Sequence, residues 1–174
     1  MLSLYIIRHA KALQNQPGVE DVDRPLEPFG RAEASEIGEY MRRFGLAPQA
    51  ILGSSARRAR ETLGLLLPHL DGDIAIHVDS ALYLASAEQL VARLNRLDVP
   101  ALRVMMIAHN PGIARFATML ANDGDPEELE RLNSSFPTAA LAEISFDLEK
   151  WSDVQKGTGR LVRLIVPVGN GVAN

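Results

Sequence analysis

The stretch Leu2-Ser3-Leu4-Tyr5-Ile6-Ile7-Arg8-His9-Ala10 decides the fold class of this chain. An almost continuous apolar run of this length is typical of a strand that is buried on both faces, as in a parallel sheet. Ligands of open α/β sheets bind beyond the carboxyl ends of such strands. Arg8 and His9 end the run, and they therefore stand where chemistry is expected.

The same pattern recurs far downstream in the chain. Residues 102–108 form a second apolar run that leads directly into His109, Asn110, Pro111 and Gly112. Because the carboxyl ends of parallel strands meet at one edge of a sheet, we expect His9 and His109 to reach the same rim.

Helix-like and strand-like segments alternate between and after these two runs. Helices are predicted over residues 29–44, 54–67, 86–97 and 110–121, and further strands over 50–53, 73–78, 138–146 and 160–166. The last two strands are expected to pair as a hairpin at or near a sheet edge. This order predicts a single-domain, three-layer α/β/α sandwich whose central sheet is mainly parallel with an antiparallel edge strand. We expect one domain over residues 1–170 and a C-terminal tail over residues 171–174.

Local sequence signals mark the starts of three of these helices. Ser54 and Ser55 offer N-cap hydroxyls, and residues 86–89 have the form of a capping box. Asn110 is the expected N-cap of the next helix, with Pro111 as its first residue. The polar residues 122–126 are expected to end that helix.

Composition narrows the classes of function. A chain of 174 residues that is 47% hydrophobic, with a net charge of −4, suits one soluble domain and argues against a general nucleic-acid binder. The absence of cysteine excludes disulfides and a cysteine nucleophile. No stretch approaches the roughly 20 apolar residues of a membrane span, and the first apolar run is too short for a signal peptide. We therefore expect a cytoplasmic protein without membrane or nucleic-acid partners.

The expected rim collects cationic and imidazole side chains. They are Arg8, His9, Arg24 from the long loop after the first strand, Arg58 and His109. Guanidinium groups match phosphate oxygens bidentately and keep their charge at physiological pH. The N–H groups and positive dipole end of the helix that begins near Asn110 favour an anion as well. The pattern therefore predicts a phosphoryl-binding site that includes Asn110.

A histidine held beside phosphorus can act as a nucleophile and form a phosphoimidazole, which water then hydrolyses. His9 and His109 could alternatively ligate a metal, because imidazole is the commonest metal ligand. The chain has no HxH or HExxH spacing, and three nearby arginines would repel a cation. We therefore predict a reaction without metal or organic cofactor.

Arg57, Arg58 and Arg60 could simply form a solvated helix face. At helical spacing, however, Arg57 and Arg60 share one side and Arg58 points elsewhere. The spacing is consistent with one functional arginine and two solvated ones.

Four short motifs resemble those of the histidine phosphatase superfamily, also called the phosphoglycerate mutase-like superfamily. Arg8-His9-Ala10 resembles its Arg-His-Gly signature, residues 54–62 its second arginine motif, and residues 108–112 its second histidine motif. Together with Asp23-Arg24-Pro25-Leu26, their order and spacing in a short chain look most like the SixA-like phosphohistidine phosphatases.

The resemblance implies a role for each matching residue. His9 would be the phosphorylated nucleophile, and Arg8 and Arg58 would hold the phosphoryl oxygens. His109 would stabilise the transition state, and Arg24 matches an arginine that lines the pocket in the SixA-like branch.

Two positions depart from the superfamily pattern. Ala10 replaces the common glycine of the signature. Mutases and many phosphomonoesterases of the superfamily place a general-acid carboxylate after the third strand, where this chain has Ala81 and no insertion. Asp79, Tyr83 and Glu88 remain open as alternative proton donors.

The missing acid favours one class of leaving group. An alkoxide needs a proton to leave, whereas the conjugate acid of an imidazole has a pKa of about 6.5. We therefore expect hydrolysis of phosphohistidine on a partner protein. The resemblance to the SixA-like branch implies a phosphotransfer domain or a phosphotransferase-system carrier as that partner. A broad phosphomonoesterase of small phosphorylated substrates and a non-catalytic phosphoryl-binding module remain as alternatives.

Overall fold

A computed structural model describes residues 1–168 and 172–173 of the chain. Its helices are α1 (Pro28–Arg43), α2 (Arg57–Leu66), α3 (Ala87–Asn95), α4 (Gly112–Leu120) and α5 (Pro126–Ser134). Its strands are β1 (Leu2–Arg8), β2 (Ala50–Ser54), β3 (Ala75–Asp79), β4 (Arg103–Ala108), β5 (Ala121–Gly124), β6 (Leu141–Phe146), β7 (Gly159–Pro167) and β8 (Val172–Ala173). Within these ranges, each helix is too short or too polar to span a bilayer.

The strands form one mixed sheet in the order β3-β2-β4-β1-β6-β7-β5. β3, β2, β4 and β1 run parallel, and β5 runs parallel to β7. β6 is antiparallel to both of its neighbours and lies between β1 and β7, and β8 pairs antiparallel with the end of β7. The predicted sheet, mainly parallel with antiparallel pairing from the hairpin, is confirmed.

Apolar clusters on the two faces of the sheet explain why the helices cover both of them. Leu2, Leu4 and Ile6 of β1 belong to the cluster that includes α3, α4 and α5. Tyr5 and Ile7 belong to the cluster that includes α1 and α2. Because both faces are covered, the apolar run of β1 is nearly continuous rather than alternating. The predicted three-layer architecture is confirmed.

The predicted capping box at the start of α3 is confirmed, but two other predicted helix starts are wrong. Ala56 occupies the N-cap position of α2, because Ser54 still belongs to β2. Pro111 occupies the N-cap position of α4, and the Asn110 side chain donates elsewhere. Ser54 is held by β2 and by a hydrogen bond with His109, and Asn110 is held by the Phe136 carbonyl.

Residues 121–124 form β5, although their polar sequence predicts only the end of a helix. β5 pairs with the outer side of β7, and its middle residues are exposed. Such an edge strand carries no apolar alternation, so its sequence lacks the usual strand signal. In the predicted C-terminal tail, residues 171 and 174 lie outside the described part of the chain. The domain boundary at residue 170 stays a prediction.

Gly30 brings the first turn of α1 against the segment that follows His9. A Cβ at Gly30 would lie 2.0 Å from the carbonyl oxygen of Lys11. The same carbonyl accepts the N–H of Glu27 at 3.0 Å, and the Lys11 N–H donates to the Glu33 carboxylate at 2.9 Å. These contacts hold the backbone at Lys11, two residues after His9, in place.

Replacing Gly30 by alanine is therefore expected to destabilise the fold. The added Cβ must displace backbone, which costs about 1–3 kcal/mol of unfolding free energy. Gly64→Ala in α2 is the matched control, because nothing lies within 4 Å of its Cβ position. This control is expected to gain roughly 0.5–1 kcal/mol. Chemical denaturation measures both, and equal effects at the two glycines would contradict the close contact at Lys11.

Candidate active site

The parallel pairing of β1 with β4 brings the two predicted histidines together. Arg8 is the register partner of Ala108, so His9 and His109 leave adjacent strands at the same level. Their ring centroids lie 4.9 Å apart. The His9 N–H donates to the Ala108 carbonyl at 3.1 Å, which continues the pairing beyond the end of β1.

All six residues predicted for the site line one cavity of about 620 Å³ at this edge of the sheet. They are Arg8, His9, Arg24, Arg58, His109 and Asn110. Lys11 and Asp21 also line the cavity. Three guanidinium groups and one carboxylate line the cavity, and the Lys11 ammonium is paired with Glu27 at 3.1 Å. The excess of positive charge suits an anionic ligand.

His9 is held in the tautomer that a nucleophile needs. A carbonyl oxygen can only accept, so the 2.7 Å contact with the Ala10 carbonyl places the proton on Nδ1. Nε2 then carries the lone pair, and it accepts the Nε–H of Arg58 at 3.3 Å. Burial lowers the pKa of His9 to about 4, and the charges of Arg58 and Arg8 act in the same direction. The imidazole is therefore neutral at physiological pH.

Thr62 connects the backbone just after His9 to α2, the helix that carries Arg58. The Ala10 N–H donates to the Thr62 hydroxyl at 3.0 Å, and this hydroxyl donates to the Arg58 carbonyl at 2.7 Å. Ala10 does not adopt a positive φ. An alanine therefore fits at the position where the signature commonly has glycine.

Arg58 is separated from its two arginine neighbours as predicted. Its side chain is only 2% exposed, whereas Arg57 and Arg60 are exposed. Arg58 donates from Nη1 to the backbone carbonyl of Asp21 at 2.6 Å and from Nη2 to its Oδ2 at 3.1 Å. Each nitrogen of the predicted phosphoryl-binding arginine thus donates one hydrogen bond within the protein.

Asp21 joins three site side chains, and the sequence analysis did not identify it. Its Oδ1 accepts the Nε–H of Arg24 at 2.9 Å, and its Oδ2 accepts from Arg58 and from the hydroxyl of Tyr83. The Tyr83 hydrogen bond, together with Arg24 and Arg58, lowers the pKa of Asp21 to about 2. The spacing of three residues from Arg24 is the available sequence signal, but neighbouring loop carboxylates share the same composition.

Arg8 and Asn110 both contact the carbonyl of Phe136. Arg8 donates to it from Nη1 at 3.2 Å, and Asn110 donates from Nδ2 at 3.0 Å. The Arg8 Nε–H is buried without a partner in the described part of the chain, which leaves a donor for a ligand. This bond uses one of the two N–H groups of the Asn110 amide, and the second N–H is left for a phosphate contact.

His109 contacts both a hydroxyl and an aromatic ring. Its Nε2 lies 2.7 Å from the Ser54 hydroxyl, and the Tyr83 ring meets it edge-on at 5.5 Å. Burial lowers the pKa of His109 to about 3, and the nearby His9 and Arg58 add to this shift. Its Nδ1 is buried and has no partner among the described residues.

The three alternative proton donors are engaged or lie outside the cavity. Asp79 accepts the Ala81 N–H at 2.8 Å and the Arg93 Nε–H at 2.9 Å, and these bonds lower its pKa. Glu88 is exposed near the start of α3, and its pKa is also lowered, first by its own backbone N–H. The hydrogen bond to Asp21 raises the pKa of Tyr83.

A metal bound by His9 and His109 would find no cluster of further ligands among the described residues. Within residues 1–168 and 172–173, no three histidine or carboxylate side chains are grouped to hold a metal. In addition to burial, the charges of Arg58 and Arg24 lower the pKa of both histidines, so positive charge surrounds the pair. Catalysis without a metal or cofactor stays a prediction.

The family model of the histidine phosphatase superfamily (branch 1) matches residues 4–83, a span that contains Arg8, His9, Arg24 and Arg58. An uncharacterized protein of Mycobacterium tuberculosis is 32% identical over 163 residues, which cover 92% of this chain and 99% of that protein. The similarity therefore extends over almost the full length of both chains.

Two solved structures share the whole fold. The proposed phosphohistidine phosphatase SixA of Nakamurella multipartitia superposes with a TM-score of 0.81 at 25% identity, covering 96% of each chain. The corresponding SixA of Agrobacterium tumefaciens gives a TM-score of 0.79 at 28% identity, covering 95% of this chain and 98% of that one. The chain belongs to the histidine phosphatase superfamily (branch 1) and, within it, to the SixA-like branch.

Proposed function

We propose that this phosphatase hydrolyses phosphohistidine on another protein through a covalent phosphohistidine intermediate on His9. The observation that carries the proposal is the tautomer of His9. Its Nδ1–H donates to the Ala10 carbonyl, so the lone pair lies on Nε2, which accepts from Arg58 at a cavity lined by arginines. Membership of the superfamily supports phosphatase chemistry. The choice of substrate rests on which groups of the cavity can supply a proton to a leaving group.

In the first step, His9 Nε2 attacks the phosphorus of the bound phosphoryl group. Arg58 gives up its contact with Nε2, and Arg58 and Arg8 neutralise the phosphoryl oxygens, as phosphoryl transfer requires. His109 donates to the same group. The Nε2–P bond forms, the P–N bond to the substrate imidazole breaks, and its electron pair stays on that imidazole.

In the second step, water attacks the phosphorus of phosphorylated His9 and the Nε2–P bond breaks. The proton stays on Nδ1, hydrogen-bonded to the Ala10 carbonyl, throughout the reaction. His9 therefore leaves as a neutral imidazole in its original tautomer. The attacking water loses its proton to the phosphate product or to solvent. No residue of the enzyme has to deliver a proton in this step.

A substrate imidazole can leave in the same way, because its second ring nitrogen takes up a proton from solvent near neutral pH. An alcohol has only the oxygen that is bonded to phosphorus, so its proton must come from the enzyme inside the cavity. Of the groups that line the described part of the cavity, the Asp21 carboxylate is ionised at that pH, and the Lys11 ammonium is paired with Glu27 at 3.1 Å. This contrast supports phosphohistidine over alkyl phosphates.

The partner in this proposal is a phosphohistidine-bearing protein, either a phosphotransfer domain or a phosphotransferase-system carrier. Hydrolysis of small phosphorylated substrates is the second candidate, since superfamily membership alone accommodates it. A cytoplasmic location and the absence of a nucleic-acid partner stay predictions.

The substrate preference is tested by kcat/KM on three substrates: a phosphorylated phosphotransfer domain, an aryl phosphate and an alkyl phosphate. We expect the alkyl phosphate to be the poorest by at least about a hundredfold, since general-acid catalysis contributes about 10²–10⁴-fold where it operates. His9→Ala is expected to abolish turnover of all three, because the nucleophile is lost.

His77→Ala in β3 is the matched control, because this histidine does not line the cavity. It is expected to retain activity. Comparable rates on the alkyl phosphate would contradict the missing-acid argument and favour the small-molecule phosphatase. Stoichiometric binding of phosphate without turnover would instead support a binding module.

Asp21 is expected to act as a positioning residue for Arg58 and Arg24. Asp21→Ala removes charge-assisted hydrogen bonds to both arginines, and we expect kcat/KM to fall about tenfold, mainly through KM. Asp21→Asn keeps an acceptor for Tyr83 and is expected to lose less. Steady-state kinetics on an aryl phosphate measures the change.

Asp23→Asn removes one charge from the single 3-10 turn Asp21–Asp23, in which Asp23 is exposed. This control is expected to leave kcat/KM unchanged. An increase in kcat/KM for Asp21→Ala would contradict positioning, because it would mean that the carboxylate competes with the phosphoryl group for the arginines.

The lowered pKa of His9 predicts a dependence of stability on pH. Between pH 6.5 and about 4 the unfolded chain binds a proton at His9 that the folded chain excludes. The unfolding free energy therefore falls as the pH falls through this window, by roughly 3 kcal/mol for His9 alone. His9→Gln is expected to reduce this loss, as measured by urea denaturation at pH 7 and pH 4.5. An identical pH dependence in the variant and the wild type would show that His9 titrates normally.

A further inference from the structure

Leu84 is an exposed apolar side chain on the wall of the catalytic cavity. It is 57% exposed, and it lines the same cavity as His9, Arg24 and His109. The other groups that line the mouth are mostly polar or cationic. A leucine at this place gains little from burial within its own chain.

The backbone at Leu84 adds a second, independent observation. Leu84 has a φ of +51°, a left-handed conformation that Gly, Asn and Asp adopt more readily than leucine. The residues on either side of Leu84 are held in place. The Tyr83 hydroxyl donates to Asp21. The Ala85 carbonyl packs against Gly112 so closely that a Cβ on Gly112 would lie 1.8 Å from its oxygen. Local conformation therefore disfavours leucine, and packing inside the chain does not compensate for it.

We propose that Leu84 is a docking contact for the protein that carries the phosphohistidine, a proposal that rests on the function proposed above. A strained backbone at a functional site persists when the surrounding structure imposes it and the site uses it. The Leu84 side chain is presented outward at the mouth of the cavity instead of being folded into the core.

The position of Leu84 fits a protein-borne substrate. To bring phosphorus to Nε2 of His9, a phosphohistidine must extend into the cavity while its own backbone stays at the mouth. Leu84 then meets an apolar residue beside the phosphohistidine on the carrier. Burial of that pair removes apolar surface from water, which the free enzyme cannot do.

The test compares two substrates that share a P–N bond and differ in the carrier. One is phosphoimidazole, and the other is an isolated histidine phosphotransfer domain phosphorylated with phosphoramidate. For Leu84→Asn and Leu84→Gly, we expect the ratio of kcat/KM on the domain to kcat/KM on phosphoimidazole to fall about tenfold. Both replacements accept a positive φ, so thermal denaturation is expected to show no loss of Tm.

Leu102→Asn is the matched control. Leu102 is 53% exposed just before β4, at the end of the sheet away from the cavity. Its replacement is expected to leave the ratio unchanged. A wild-type ratio in both Leu84 variants, or an equal fall in the Leu102 variant, would overturn the docking role alone. No turnover of either P–N substrate by the wild-type protein would overturn the proposed function and the docking role together.

Discussion

The parallel register of β1 against β4 is the constraint on which the site depends. Arg8 lies opposite Ala108, and each strand is followed directly by a histidine. A shift of one residue would turn every side chain of β1 to the other face of the sheet, and would move Tyr5 and Ile7 from one apolar cluster to the other. The packing of apolar side chains on both faces therefore determines the distance between His9 and His109.

Asp21 resolves an electrostatic problem that this geometry creates. The same edge of the sheet gathers Arg8, Arg24 and Arg58, and Arg58 is almost fully buried. An unpaired buried guanidinium is strongly destabilising, and like charges this close repel one another. A single carboxylate offsets two of the three arginines, and the buried Nε–H of Arg8 has no partner among the described residues. The cavity thus stays cationic while its arginines stay ordered.

The sequence predicted the sheet and the site residues because these follow from periodicity and position. Residues on β1 and β4 carry a strong apolar signal, and the chemistry stands at their carboxyl ends. Asp21 was missed because its partners come from α2, from its own loop and from the segment before α3, and no local pattern encodes such contacts. β5 was missed for a related reason, since a polar edge strand is specified by its neighbour. Asn110 was assigned as a cap because local signals cannot show that its amide is used by Phe136.

The protonation states of His9 and Asp21 connect the geometry of the cavity to the proposed reaction. His9 is neutral because burial and the charges of the arginines disfavour a second proton on its ring. Asp21 is ionised because Tyr83 and the arginines stabilise its negative charge. The same cations thus lower both pKa values, so that the site holds a neutral imidazole and an ionised carboxylate at neutral pH. In the proposed reaction, such a site favours a leaving group that obtains its proton elsewhere. An imidazole does so at the ring nitrogen remote from phosphorus, and His9 would leave in the same way with its Nδ1–H bound to the Ala10 carbonyl. Nucleophile and leaving group would then be chemically alike, and one environment would serve both halves of the proposed reaction.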